Sequence, residues 1–241
     1  MIFRLHDQGV GLVLLDIEGT TTPMSFVYDV LFPYARARMP AYLRAHASED
    51  DLRDVLATLR VEWQEDARRG EQPPDWAHAD IPAAARYLEW LMDRDRKSPS
   101  LKRLQGEIWK AGFDAGELRS QMFADVVPAF VRWKESGIDI AIYSSGSVLA
   151  QKLIFAELLP LISAFFDTAV GAKRSVESYK RIAASLRRAP EAILFVSDSP
   201  EELNAALDAG YQILLAVRPG NRPVDGPEML DEISSFDEII A

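Results

Sequence analysis

Four short polar segments, each placed directly after an apolar run, hold the residues of this chain that are equipped for chemistry. Asp16-Ile17-Glu18-Gly19-Thr20-Thr21 follows Val10 to Leu15, and Ser144-Ser145-Gly146-Ser147 follows Ile138 to Tyr143. Lys173 lies just beyond Phe166 to Val170, and Ser197-Asp198-Ser199-Pro200-Glu201-Glu202 follows Ala192 to Val196. Gathered in one place, Asp16, Glu18, Asp198 and Glu202 would raise one another's pKa unless a cation neutralised them. A hard divalent ion on oxygen ligands fits, and Mg²⁺ is expected, one per subunit, because the chain has no Cys and only three His. The Lys173 ammonium and the hydroxyls of Ser144 and Ser145 would then hold an anion on the other side of the metal, which is how phosphoryl oxygens are clamped. Asp16 as nucleophile, with Glu18 two residues on as general acid/base, gives covalent catalysis through an aspartyl phosphate.

Each segment alone reads as an ordinary turn or helix start. What singles them out is the joint occurrence of nucleophile, hydroxyl, cation and metal ligand at four strand ends in that chain order. His6, His46 and His78 fall outside the four segments and read as surface or loop residues. Trp63, Trp76, Trp90, Trp109 and Trp133 read as helix-face packing rather than a platform for stacking bases.

The elements that must position these residues follow from the hydrophobic pattern. Val10 to Leu15 has the form of a strand buried on both faces, and the runs at 138–143, 166–170, 192–196 and 212–217 continue the series. Helical patterns separate them at about 147–158, 177–188 and 201–209, with Pro200 as a start signal and Gly210 as a stop. This alternation predicts an α/β fold with a doubly wound, mostly parallel sheet. Between Thr22 and Val126 the rhythm changes. Ser48-Glu49-Asp50-Asp51 reads as a capping box ahead of Leu52, Val55, Leu56, Leu59 and Trp63 at helical spacing. Ser98-Pro99 opens another helix, which Gly112 ends, and Pro73-Pro74 marks a loop. The expected organisation is a core of residues 1–21 and 126–241, with a helical cap of residues 22–125 inserted after the first strand. Ligands of open α/β sheets bind outside the carboxyl ends of the strands, so an insert at that point is expected to cover the crevice.

Composition narrows the partners. With 37 Asp+Glu against 27 Lys+Arg the net charge is −10, which disfavours attraction to nucleic acid or to an anionic membrane. The absence of Cys excludes disulfides, thiolate catalysis, Fe–S clusters and Cys-based zinc sites. The apolar run at Val10 to Leu15 is too short to span a bilayer. The expectation is a cytoplasmic monomer that acts on a small phosphorylated molecule, with no nucleic acid and no membrane as partner.

The order Asp-x-Glu-Gly-Thr, Ser, Lys, Asp-x-x-x-Glu, as it stands at Asp16 to Thr20, Ser144, Lys173 and Asp198 to Glu202, resembles the haloacid dehalogenase superfamily of Mg²⁺-dependent phosphohydrolases. The stretches Asp16 to Pro23, Val30 to Tyr34, Leu104 to Trp109, Phe123 to Pro128, Tyr143 to Ser147 and Val217 to Asn221 are similar to its enolase-phosphatase branch, the acireductone synthases of methionine salvage. Most of the superfamily has Asp where this chain has Glu18, and Glu is typical of that branch. The resemblance implies Asp16 as nucleophile and metal ligand, Glu18 as general acid/base with its backbone carbonyl on Mg²⁺, and Asp198 as a further ligand. It implies that Ser144, Ser145 and Lys173 hold the substrate phosphate and that Glu202, the second acid of the fourth motif, acts in support, at the metal directly or through water. The implied substrate is 2,3-diketo-5-methylthiopentyl 1-phosphate, enolised and then dephosphorylated. Two readings compete: another capped phosphatase of the same superfamily, and a receiver-type signalling module, a class that lacks an insert of this size after its first strand.

Overall fold

The structure, a computed structural model, describes residues 2–76, 80–221, 223 and 230–241, so that His78 lies outside it. The chain forms two compact units, Tyr28–Arg119 on the one hand and Met1–Val27 with Ser120–Ala241 on the other.

The Tyr28–Arg119 unit is helical: α1 (Phe32–Ala45), α2 (Asp50–Arg68), α3 (Ile81–Asp93) and α4 (Pro99–Asp114). α3 and α4 begin at side-chain caps, Asp80 accepting from Ala83 N at 2.7 Å and Ser98 from Leu101 N at 3.0 Å, each with Pro in the first turn. The capping box expected at Ser48 is not formed. α2 starts at Asp50 with Glu49 as its N-cap, and the Glu49 carboxylate lies 2.8 Å from His46 Nδ1 instead. Gly112 does not end its helix either, since α4 runs on to Asp114. Its lack of a side chain admits the Tyr34 ring, whose hydroxyl would stand 2.5 Å from a Cβ at that position. Trp76, expected on a helix face, is buried in the loop of residues 71–76, where its carbonyl accepts from Arg60. Asp66 is buried but paired, accepting from Tyr87 Oη at 2.7 Å and Arg96 at 2.5 Å.

The other unit begins with β1 (Phe3–Arg4) and β2 (Leu12–Leu15) and resumes with α5 (Val126–Glu135), β3 (Asp139–Tyr143), α6 (Val148–Ile154) and β4 (Ala164–Phe166). It closes with α7 (Val176–Leu186), β5 (Ile193–Ser197), α8 (Pro200–Asp208), β6 (Gln212–Ala216), β7 (Glu232–Ile233) and β8 (Ile239–Ile240). The main sheet has the order β4-β3-β2-β5-β6-β7 with every neighbouring pair parallel, and β1 pairs with β8 apart from it. This is the doubly wound α/β arrangement that the alternating pattern predicts. Its strand order reverses at β2, which has β3 on one edge and β5 on the other, and a ligand crevice belongs at that point. Leu15 pairs with Ile142 and with Val196, so the chain leaves all three strands at one level.

Period two then assigns the core. Leu12, Leu14, Tyr143, Phe195 and Leu215 pack with Tyr179, Ile182 and Ala183 of α7 and Leu203 and Ala206 of α8. The alternate residues of β2 and β3 point to the opposite face, where α5 supplies Phe130 and Trp133, and Trp133 Nε1 donates to Ile239 O at 3.0 Å. Several boundaries differ from expectation. The first strand opens at Leu12 rather than Val10. The helix expected over 147–158 stops at Ile154 and gives way to a 3₁₀ turn at Ala156–Leu161, which contains Pro160. The third strand is Ala164–Phe166 and not 166–170, because the Asp167 carboxylate accepts from Val148 N and Ala169 N and turns the chain there. Among the described residues no helix is long and apolar enough to cross a membrane.

Candidate active site

The loop after β2 folds on itself. The Ile17 carbonyl accepts from the N–H groups of Thr20, Thr21 and Thr22 at 3.0–3.1 Å, and Gly19, with φ of 71°, donates to Thr22 O at 2.8 Å. Gly19 is required there twice over, by its positive φ and because a Cβ would collide with Asp198 Oδ2. This tight loop aims the buried Asp16 carboxylate, whose Oδ1 accepts from Ile17 N at 2.8 Å.

Lys173 reaches the same carboxylate from the loop after β4. Its Nζ is 2.6 Å from Asp16 Oδ1 and 2.5 Å from Glu202 Oε2, and the residue is only 8% exposed. Burial works against its charge, but Asp16 and Glu202 outweigh that and hold its pKa above the ordinary lysine value. Its backbone is fixed by α7, with Tyr179 Oη donating to Lys173 O at 2.7 Å and Ser178 Oγ to Ala172 O at 2.8 Å. Ser197 Oγ, at the end of β5, lies 3.3 Å from Asp16 Oδ2 and 3.1 Å from Glu202 Oε2. One hydroxyl hydrogen thus serves two carboxylates.

The remaining candidates sit around this pair. Ser144 Oγ accepts from Gly146 N at 3.1 Å and lies 3.4 Å from Glu18 Oε2. Ser145 is half-buried in the next position of the same turn. Gln151 pins that turn from α6, donating through Nε2 to Gly146 O at 2.9 Å and to Phe166 O at 2.8 Å. Asp198 follows β5 and has its pKa pushed up to about 7, first by burial and then by Asp16, with Lys173 opposing and Glu202 and Glu18 adding. Glu202 is raised as well, by burial and by Asp16. Tyr179, Ser178, Ser197 and Gln151 therefore belong to the site's support although sequence reasoning gave none of them a role. His6 is exposed, and His46 is engaged with Glu49.

The donor set suits one small hard cation. Lys173 contacts Asp16 and Glu202, and the pKa values of Asp198 and Glu202 are raised first by burial and then by neighbouring carboxylates, charge that a cation would offset. Among the described residues no three His, Cys, Asp or Glu side chains form a ready metal cage. Mg²⁺ needs no such cage, since it takes one or two carboxylates and leaves its other positions to carbonyl, water and phosphate oxygens.

A strand order that reverses at β2, with aspartate, hydroxyl, lysine and a second aspartate at the strand ends, defines a class of hydrolase. The family model for haloacid dehalogenase-like hydrolases matches residues 10–210. Enolase-phosphatase E1 of Synechococcus elongatus is 50% identical over 235 residues, covering 95% of this chain and 98% of its own length. Its counterpart in Drosophila mojavensis is 47% identical over 227 residues, covering 91% and 90% respectively. Among solved structures, the UTR4 protein of Saccharomyces cerevisiae superposes with a TM-score of 0.78 at 30% identity, covering 95% of this chain and 99% of that one. The chain belongs to the haloacid dehalogenase-like hydrolases and, within them, to the enolase-phosphatase E1 family.

Proposed function

We propose that the protein is an Mg²⁺-dependent enolase-phosphatase that converts 2,3-diketo-5-methylthiopentyl 1-phosphate to the acireductone 1,2-dihydroxy-3-keto-5-methylthiopentene and phosphate. The observation that carries the mechanism is the contact of Lys173 with both Asp16 and Glu202, with Ser197 bridging the same two carboxylates. Asp16, Asp198 and the backbone carbonyl of Glu18 would hold the metal, which when bound neutralises the carboxylates and the substrate phosphate. Lys173, Ser144 and Ser145 bind the phosphoryl oxygens, and Glu202 keeps Lys173 in place.

Glu18 first removes a proton from the carbon that carries the phosphate ester, next to the C2 carbonyl, and the electron pair moves onto the C2 oxygen as an enolate that takes a proton from solvent to give the enol. Asp16 then attacks phosphorus, the ester P–O bond breaks, and Glu18 returns a proton to the departing oxygen. The same carboxylate next takes a proton from water, whose attack on the aspartyl phosphate frees phosphate and restores Asp16. The same reading makes the protein a cytoplasmic monomer with one Mg²⁺ per subunit.

The test is the diketo phosphate itself, with acireductone absorbance and phosphate release followed together in Mg²⁺. Both signals are expected to rise in step. Phosphate without the absorbance would reduce the protein to another phosphatase of its family, and neither signal would overturn the proposal.

A further inference from the structure

The turn after β6, Val217-Arg218-Pro219-Gly220-Asn221, takes no part in the reaction as described, yet two of its side chains donate to the nucleophile loop. Arg218 Nε donates to the Thr20 carbonyl at 3.1 Å. Asn221 Nδ2 donates to the Gly19 carbonyl at 2.9 Å and to Ala216 O at 3.0 Å. Most of the loop's other groups are spent internally, on the Ile17 and Thr22 carbonyls and on Thr21 Oγ1, which lies 3.3 Å from the Asp16 and Ile17 carbonyls, while the Thr21 carbonyl accepts from Phe123 N at 3.1 Å. The Gly19 and Thr20 carbonyls are therefore where side chains of the turn after β6 grip it.

Stability alone gives little reason for this grip. Arg218 is 5% exposed, and its Nη1 donates to Asp125 Oδ2 and to Ser234 O, both at 2.8 Å. Asp125 Oδ2 also accepts from Phe236 N at 2.5 Å and Ser235 Oγ at 3.1 Å. Buried ion pairs are often no more stabilising than apolar residues of the same volume. Arg218 Nη2 and Asn221 Oδ1 are moreover buried with no hydrogen-bond partner, a further penalty. Gly19 is enclosed on both flanks, because a Cβ there would lie 2.8 Å from Asn221 Oδ1 and strike Asp198.

We propose that Arg218 and Asn221 are positioning residues for Asp16 and Glu18, acting through the Thr20 and Gly19 carbonyls, and that Asp125 holds Arg218 in register. The proposal rests on the reading of Asp16 as the attacking group. Misplacing a reacting group by about an ångström loses on the order of 10²-fold in rate, and removal of an outer partner typically about 10- to 100-fold.

Arg218→Lys keeps a charge for Asp125 and removes the Nε donor, and Asn221→Ala removes both amide donors. Each is expected to lower kcat about 10- to 100-fold while KM changes by less than about threefold. Amide hydrogen exchange should quicken at Gly19 to Thr22 and stay unchanged in β5 and α8. The double variant Arg218→Met/Asp125→Asn, which removes both charges and so avoids a bare buried carboxylate, should show the same loss of kcat. A kcat within about twofold of the parent in Arg218→Lys and Asn221→Ala would overturn the proposal. Faster exchange throughout the core would overturn it too, since the residues would then be merely structural. Asp16→Asn, run in parallel, separates the two readings, because turnover retained there would refute the nucleophile assignment and not the grip.

Discussion

Lys173→Met keeps the length of the side chain and withdraws its charge from between Asp16 and Glu202. The two carboxylate oxygens, 2.6 and 2.5 Å from one nitrogen, lie no more than about 5 Å apart, and at an effective dielectric constant of about 20 their unscreened repulsion is on the order of 3 kcal/mol. Breaking a buried pair by removing one partner typically costs about 3–5 kcal/mol, a range that contains this figure. The deficit must depend on pH. Glu202 is raised above its ordinary 4.5 by burial and by Asp16, with Lys173 opposing, so loss of the ammonium raises it further. A carboxyl whose folded pKa exceeds its unfolded one gives stability that is fully present below the unfolded value and is lost as pH rises through the folded one. The Lys173→Met deficit from this pair is thus expected to be smallest near about pH 5 and larger, by about 1 kcal/mol or more, at about pH 8. Urea unfolding of parent and variant at both pH values, in EDTA, reads it directly. Phosphatase kcat/KM in Mg²⁺ should fall about 10²- to 10³-fold, as for the loss of one clamping donor. A deficit equal at the two pH values, or below about 1 kcal/mol at the higher one, would refute the counter-ion argument, and an unchanged kcat/KM would make Lys173 a bystander.

Asp16→Asn should fold and yet lose phosphate release by about 10⁴-fold or more, as expected for removal of a nucleophile; release at the parent's rate from a folded variant would mean that another group attacks. Glu18→Asp draws the carboxylate back by one methylene and is expected to slow exchange of the substrate's α-proton by about 10²-fold while hydrolysis of a simple phosphate monoester falls less. Exchange at the parent's rate in both Glu18→Asp and Glu18→Gln would place the enolising base elsewhere. Chelation with EDTA should abolish turnover and Mg²⁺ should restore it. In EDTA the parent protein should also lose stability as pH rises through about 7, because Asp198, raised from 3.8, stabilises the fold when protonated and ceases to do so as it ionises; Mg²⁺ should flatten that profile.

The sheet was legible because β2, β3, β5 and β6 are buried apolar runs ended by polar or turn residues, and alternation with helices admits few topologies. The gathering of the residues at 16, 144, 173 and 198–202 followed from that topology. Their supports were not legible, since each acts across a long separation. Arg218 meets a carbonyl 198 residues earlier in the chain, and Gln151 ties Gly146 to Phe166 with a single amide. Ser197 stood in the segment of interest, but only its place between two carboxylates gives it a role. Gly112 shows another limit of sequence reading: a helix stop and a ring packed on a bare backbone are written with the same letter.

The position of β2 has a consequence for how the chain is made. Leu12-Val13-Leu14-Leu15 leaves the ribosome well before its two partners, Asp139–Tyr143 and Ile193–Ser197. The contiguous helices of Tyr28–Arg119 can form in the interval from contacts close in sequence. An apolar strand with two bare edges waits through that time, the kind of segment that pairs wrongly with other chains. A nascent chain stalled before Ile193 still carries one of those edges open, on the strand that leads into Asp16.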